Sequence, residues 1–260
     1  MKINIHFSVS YLFIFFFSYL YFLCPTYAQE NGTLPDKVHH AEPLFNDLVR
    51  DLGARKGEKE INLGVDIRKR SHTDQYGYLV EYEFAPIHRL GLEIETDFTY
   101  IKSKEMRSNN QLERLRLSSQ YSFYVSKEQS MTLAVGYSQM VDFKNKGMVF
   151  APFFVAAKTW YTNLHTMIYS GPEVTVKWNG SGTVLGWQIN TAILYTIPHT
   201  RHFIGLEVNQ EVSGKQFDTI VRPQIKVSLG QKIAAGIAVG LPASCRENVS
   251  SVFLRVIYEL

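Results

Sequence analysis

Cysteine is almost missing: Cys24 and Cys245 are the only two in 260 residues. That excludes a disulfide scaffold and a cysteine-based zinc site. A surplus of one charge is missing too. Lys plus Arg is 27 and Asp plus Glu is 24, a formal net charge of +3. That is too balanced for a nucleic-acid binder working by bulk charge, so no nucleic-acid partner is expected. Charged residues make up only 20%, against 45% hydrophobic, which excludes a disordered chain. What is plentiful is aromatic: Tyr 15 and Phe 17, and their placement carries meaning.

Residues 1–28 read as a secretory signal. Lys2 is their only charge, an apolar run extends from Phe7 to Cys24, and Thr26-Tyr27-Ala28 ends the stretch. A basic start, an apolar middle and small residues before the cut define such a signal. Cleavage is expected after Ala28, leaving 232 residues. An uncleaved anchor is the alternative, since the run reaches the lower edge for a span, about 18 residues. A lipidated Cys24 fits poorly, because Tyr21, Phe22 and Leu23 precede it where a small residue belongs. Without Cys24, Cys245 cannot form an intramolecular disulfide. An exported chain must then be held together by other means.

Residues 29–59 form a lead with one patterned stretch. Leu44, Leu48 and Leu52 recur at i, i+4 and i+8, with Phe45 and Val49 beside them. Pro43 suits a first helical turn and Gly53 a C-terminal cap, so the spacing predicts a short amphipathic helix. Such a helix must bury Leu44, Leu48 and Leu52 somewhere. The expectation is a plug packed into or under the following domain; the alternative is a helix lying on the membrane surface.

From residue 60 to 260 only period 2 remains. Ile61, Leu63, Val65 and Ile67 alternate with Asn62, Gly64, Asp66 and Arg68. Tyr76, Tyr78, Val80, Tyr82 and Phe84 alternate with Glu81 and Glu83; Leu90, Leu92 and Ile94 alternate with Glu93, Glu95 and Asp97. The pattern runs to the C-terminus and gives about twelve strands with one apolar face, with faces ambiguous near residues 145–180. Short connections alternate with longer polar ones at 101–111, 171–183 and 213–219. An even strand number puts both ends of the domain on the short-turn rim.

Alternation does not say which face points inward. Export without disulfides, strands of about 9–13 residues, and Phe98, Phe123, Trp160, Trp187 and Tyr195 near strand ends favour the membrane arrangement. The expected fold is an all-β transmembrane antiparallel up-and-down barrel. The chain ends inside a strand with Val252, Leu254, Val256, Tyr258 and Leu260 on one face. This resembles the C-terminal signal read by the outer-membrane insertion machinery, although Leu260 stands where Phe or Trp is usual.

His40-Ala41-Glu42-Pro43-Leu44-Phe45-Asn46-Asp47 resembles the name-giving motif of the HAEPLYID family. The likeness extends through Asp51-Leu52-Gly53-Ala54-Arg55-Lys56-Gly57-Glu58, Val80-Glu81-Tyr82-Glu83-Phe84-Ala85-Pro86-Ile87 and His202-Phe203-Ile204-Gly205-Leu206-Glu207. The resemblance implies an exported protein of Bacteroidetes-type bacteria and an outer-membrane barrel of unassigned function. Some members carry the label of a purine-biosynthesis synthase, which nothing in this sequence supports.

The candidate site is the polar face of the first strands: Asp66, Arg68, Glu81, Glu83, Glu93, Glu95, Asp97, Arg114 and Arg116. It reads either as a charged constriction that selects solutes or as a cross-strand ion-pair ladder filling the lumen. No catalytic residue, metal site or cofactor is expected. His39-His40 are adjacent in a loose lead and rarely converge on one ion. His88, His165 and His202 show no triad spacing. The expected function is a small passive channel or structural protein of the outer membrane, in contact with its lipid. The rivals are a lipid-modifying barrel enzyme and a soluble periplasmic lipid carrier.

Overall fold

The computed structural model describes residues 34–46, 48–69, 73–103, 109–180, 182–214, 216–244 and 249–260. The expected signal segment with its expected cleavage point, and Cys245, lie outside the described residues. Residues Pro35–Leu260 form one compact unit.

It contains twelve strands: β1 (Lys59–Lys69), β2 (Thr73–Ile87), β3 (Leu90–Ser103), β4 (Asn109–Ser126), β5 (Met131–Asp142), β6 (Gly147–Trp160), β7 (Leu164–Lys177), β8 (Thr183–Thr196), β9 (Phe203–Ser213), β10 (Gln216–Ser228), β11 (Ile233–Ser244) and β12 (Ser251–Glu259). Each pairs antiparallel with its chain neighbour, and β1 pairs with β12 to close the barrel. The closing register sets Leu63 opposite Val256 and Val65 opposite Leu254. Closure satisfies every ladder and leaves no edge strand. The amide of Leu260 donates to the carbonyl of Lys59 at 3.0 Å, so start and end of the barrel share a rim.

The direction of the faces is unambiguous. Leu63, Val80, Ile94, Ile168, Ile193 and Ile204 are exposed on the outer wall, several about half or more. Asn62, Glu81, Glu83, Glu95, Glu207, Arg222 and Arg255 are buried within. That is the inverse of a soluble barrel. It overturns the soluble-carrier alternative, which needs the apolar faces inside. Phe98, Phe123, Trp160, Trp187 and Tyr195 are exposed outward, and the indole N–H groups of Trp160 and Trp187 are satisfied by Thr166 and Ser170 at 2.9 Å each. An apolar body with a bonded polar handle suits a membrane–water boundary.

Two expectations fail. The longer polar connections at 101–111, 171–183 and 213–219 are largely strand among their described residues, and consecutive strands are separated by only two to six residues on both rims. Hairpins that rise past an apolar belt are wet on both faces, so their residues stay in the ladder without alternating. The short N-terminal helix is also absent among the described residues: 44–46 and 49–50 are bends and 52–53 a turn. A lone helix of this length is marginal, and here its backbone partners are supplied by barrel side chains.

Candidate functional site

The lumen has two unlike walls. One is apolar: Ala134 of β5, Phe153, Val155 and Ala157 of β6, Met167 of β7, Ala192 and Leu194 of β8, Phe203 of β9, Ala238 of β11 and Phe253 of β12. Into this wall pack Ala41, Leu44, Leu48, Val49 and Leu52, with the three leucines at most 2% exposed. Burying each leucine contributes roughly 1.5–3 kcal/mol. The fit is close enough to require glycine in the wall. A Cβ at Gly236 would come within 2.5 Å of the Leu44 side chain, and one at Gly91 equally near Arg50 Cβ.

The segment's backbone is held by lumen side chains in place of a helix. The amide of Leu44 donates to Gln224 Oε1 at 2.6 Å. Those of Phe45 and Asn46 donate to the two carboxylate oxygens of Glu207, at 3.4 and 2.9 Å. Gly53 donates to Ser122 Oγ at 2.8 Å. The carbonyls of Leu44 and Arg50 accept from Arg255 and from Gln120, at 3.1 and 2.7 Å. Farther along, β2 breaks register between Phe84 and Ile87, and Ala85 turns its backbone to Gly57 and Glu58 instead, at 2.9 Å each.

Ion pairs of Arg50 complete the attachment, and those of Lys37 tie the segment to itself. Arg50 reaches Glu60 at 2.8 Å and Glu83 at 3.5 Å, and Lys37 bridges Asp51 at 2.9 Å and Glu58 at 2.8 Å. Burial opposes charge on both Lys37 and Asp51. The pairing outweighs it: Asp51 and Glu58 raise the Lys37 ammonium, and Arg50 and Lys37 hold the Asp51 carboxyl well below the usual range.

The other wall is polar and faces a cavity of about 500 Å³, which Phe45 and Asn46 of the internal segment also line. Glu95 lies opposite Arg116 in register and the two pair at 3.1 Å. Asp97 lies opposite Arg114, but Arg114 reaches Glu113 at 3.5 Å and Asp142 at 4.0 Å. Asp66 pairs with Arg68 at 2.7 Å, and Glu93 accepts from Ser118 at 3.0 Å. Glu81 and Glu83 point instead at the internal segment's anchors: Glu81 pairs with Arg255 at 2.6 Å, Glu83 with Arg50, and Asn62 donates to both. The nine charged positions therefore split between a vestibule and the seat of the internal segment.

Glu60, Glu207, Arg222, Gln224 and Arg255 belong to that seat and were not singled out from the sequence. Arg222 stacks over the Phe45 ring at 3.4 Å and donates to Asn209. They stand on inward positions of β1, β9, β10 and β12, where the same alternation that marked Glu93 and Glu95 would have found them. Removing the Glu207 carboxylate leaves the part-buried amides of Phe45 and Asn46 without that acceptor, at up to about 1–3 kcal/mol each. Glu207→Ala should sharply lower hydrogen-exchange protection of these two amides while the barrel stays folded.

His88 and His202 serve structure. His88 Nδ1 accepts from the Lys56 amide at 3.2 Å and His202 Nδ1 from the Ser228 amide at 3.0 Å. Among the described residues, three potential metal-ligand atoms approach within 4.8 Å only at Glu81, Glu93 and Glu95, and each of these carboxylates has a protein partner.

Solved structures share the fold at low identity. A COG4313 outer membrane channel from Pseudomonas putida F1 superimposes with a TM-score of 0.64 at 10% identity, over 80% of this chain and 97% of that one. The NanC porin gives 0.60 at 11%, over 77% and 100%. The KdgM porin gives 0.57 at 14%, over 77% and 99%. Among curated proteins, no sequence matches. The HAEPLYID-like family model matches residues 36–259, a span that takes in both the buried segment and the whole barrel around it, and the chain belongs to that family.

Proposed function

We propose that the protein is an outer-membrane channel of small bore, kept closed by its own residues 35–58. The observation that carries this reading is the pairing of an outward apolar belt with an inward apolar wall covered by Leu44, Leu48 and Leu52. A barrel needs the belt to sit in lipid. It needs the inner wall only if something apolar is to be docked there. About twelve strands lies between barrels filled by side chains and open porins, so a short segment suffices to block the bore. The paired charges of the vestibule, Glu95–Arg116 and Asp66–Arg68, suit polar solutes over apolar ones. In this reading the exported chain loses residues 1–28, and its terminal strand is recognised by the insertion machinery.

The test is fractionation of cells, with the membrane sample run on a gel unheated and boiled, followed by planar-bilayer recording of the purified protein. A membrane-bound band that changes mobility on boiling, with rare ion currents, is expected. A band released without detergent would overturn the membrane reading. Large steady currents from the intact chain would overturn the closed state.

A further inference from the structure

Where the internal segment meets β5, β6, β7 and β8, two histidines share one hydroxyl. Thr159 Oγ1 lies 3.1 Å from His40 Nδ1, 3.0 Å from His165 Nδ1 and 3.1 Å from the carbonyl of His39. A hydroxyl has one proton, and the His39 carbonyl can only accept it. Both imidazoles must then carry hydrogen on Nδ1 and donate it to Thr159. Their Nε2 atoms are left as acceptors, and each finds a threonine hydroxyl at 3.0 Å: Thr132 for His40, Thr196 for His165. Every donor and acceptor is used with both rings neutral. His39 closes the group with its ring edge-on to His165, centroids 6.1 Å apart.

We propose that the His40–Thr159–His165 cluster is a proton-operated latch, holding residues 35–58 tightly in the lumen at neutral pH and loosening them in acid. The inference rests on the closed-channel reading and adds its control. A second proton on His40 goes to Nε2, and the Thr132 hydroxyl, which donates there to the neutral ring, has to turn and accept instead. Thr132 is wholly buried and His40 nearly so.

The surroundings offer such a proton little compensation. The charged and titratable groups about the rings are the three imidazoles, Lys37 and Asp51 of the same segment, Arg201 between β8 and β9, and Lys226 of β10. Asp51 is the carboxylate among them, and it is engaged by Lys37 and by Arg50 at 3.4 Å. β5, β6 and β8 present the threonines, and Lys158 of β6 is turned onto the Trp160 ring. Burial first, then His165 and His39, push His40 from 6.5 down to about 3.

The sign follows. A released segment binds a proton on His40 near pH 6.5, and a docked one does not until about 3. The released state therefore holds more protons between those values. Docking is at full strength above pH 6.5 and weakens as pH falls. His40 alone lowers the docking constant about thirtyfold between pH 7.5 and 5.0.

Hydrogen exchange on the full-length protein in detergent reads this without requiring conduction. Protection of the Leu44, Asn46 and Gly53 amides, corrected for intrinsic exchange at each pH, is compared at pH 7.5 and 5.0. A fall of about thirtyfold or more is expected in the unmodified protein, and a clearly smaller one in both His40→Gln and His165→Gln. Protection that is high and equal at both pH values would overturn the latch and leave the closed channel standing, as would an undiminished fall in His40→Gln. Amides already unprotected at pH 7.5 would overturn both.

Discussion

Deleting residues 35–58 is expected to give a barrel that still inserts but conducts steadily, where the intact chain conducts rarely. The segment contributes the three buried leucines and Val49, its own backbone bonds to Gln224, Glu207, Ser122 and Arg255, and ion pairs through Lys37 and Arg50. None of these is part of the strand ladder, so closure of β1 on β12 survives their loss. The vacated wall does not escape cost. Phe153, Val155, Met167, Leu194 and Phe203 would meet water, and the gel shift on boiling should move to lower temperature. Leu44→Ala with Leu48→Ala and Leu52→Ala is the gentler version. Each substitution should cost the docked state about 2–5 kcal/mol, enough together to release the segment with every strand intact. Unchanged current and unchanged unfolding temperature in both variants would mean that the segment neither blocks the bore nor braces it.

The alternation that carried the fold was legible because one face of each strand meets lipid and the opposite face meets polar neighbours. It faltered at residues 145–180 for a reason the lumen supplies. There Phe153, Val155, Ala157 and Met167 face inward and Phe154 and Ile168 face outward, so both faces of β6 and β7 are apolar. The ambiguity was itself a trace of the docked segment. The leucine spacing was also legible, but its conformation was not. An i, i+4, i+8 pattern implies a helix only if one side is buried, whereas Leu44, Leu48 and Leu52 are surrounded. What caps their backbone comes from Gln224 and Glu207, more than 160 positions away in the chain, brought close by closure of the barrel. The charged face was read from the first four strands. The same alternation marks the inward residues of the last four, but that Arg255 meets Glu81 follows only from β12 lying against β1.

Arg255 is the position where a single change should hurt most. It pairs with Glu81 at 2.6 Å across β1, both side chains are 2% exposed, and its other nitrogen donates to the carbonyl of Leu44. Arg255→Ala leaves the Glu81 carboxylate buried, with the neutral Asn62 amide donating to the oxygen that Arg255 held. An uncompensated buried charge costs about 3–5 kcal/mol, which should appear as a clear drop in the temperature at which the folded band disappears. Glu81→Leu combined with Arg255→Met removes both charges and keeps apolar volume, and should restore most of that drop. It cannot restore the bond to Leu44, so amide protection in residues 44–46 should stay below that of the unmodified protein. The two readouts then separate what the pair does for the barrel from what Arg255 does for the segment inside it. An Arg255→Ala protein that melts like the unmodified one would show that Glu81 finds its neutralisation elsewhere in the polar wall, and that closure of the lumen rests on the leucines and Glu207 alone.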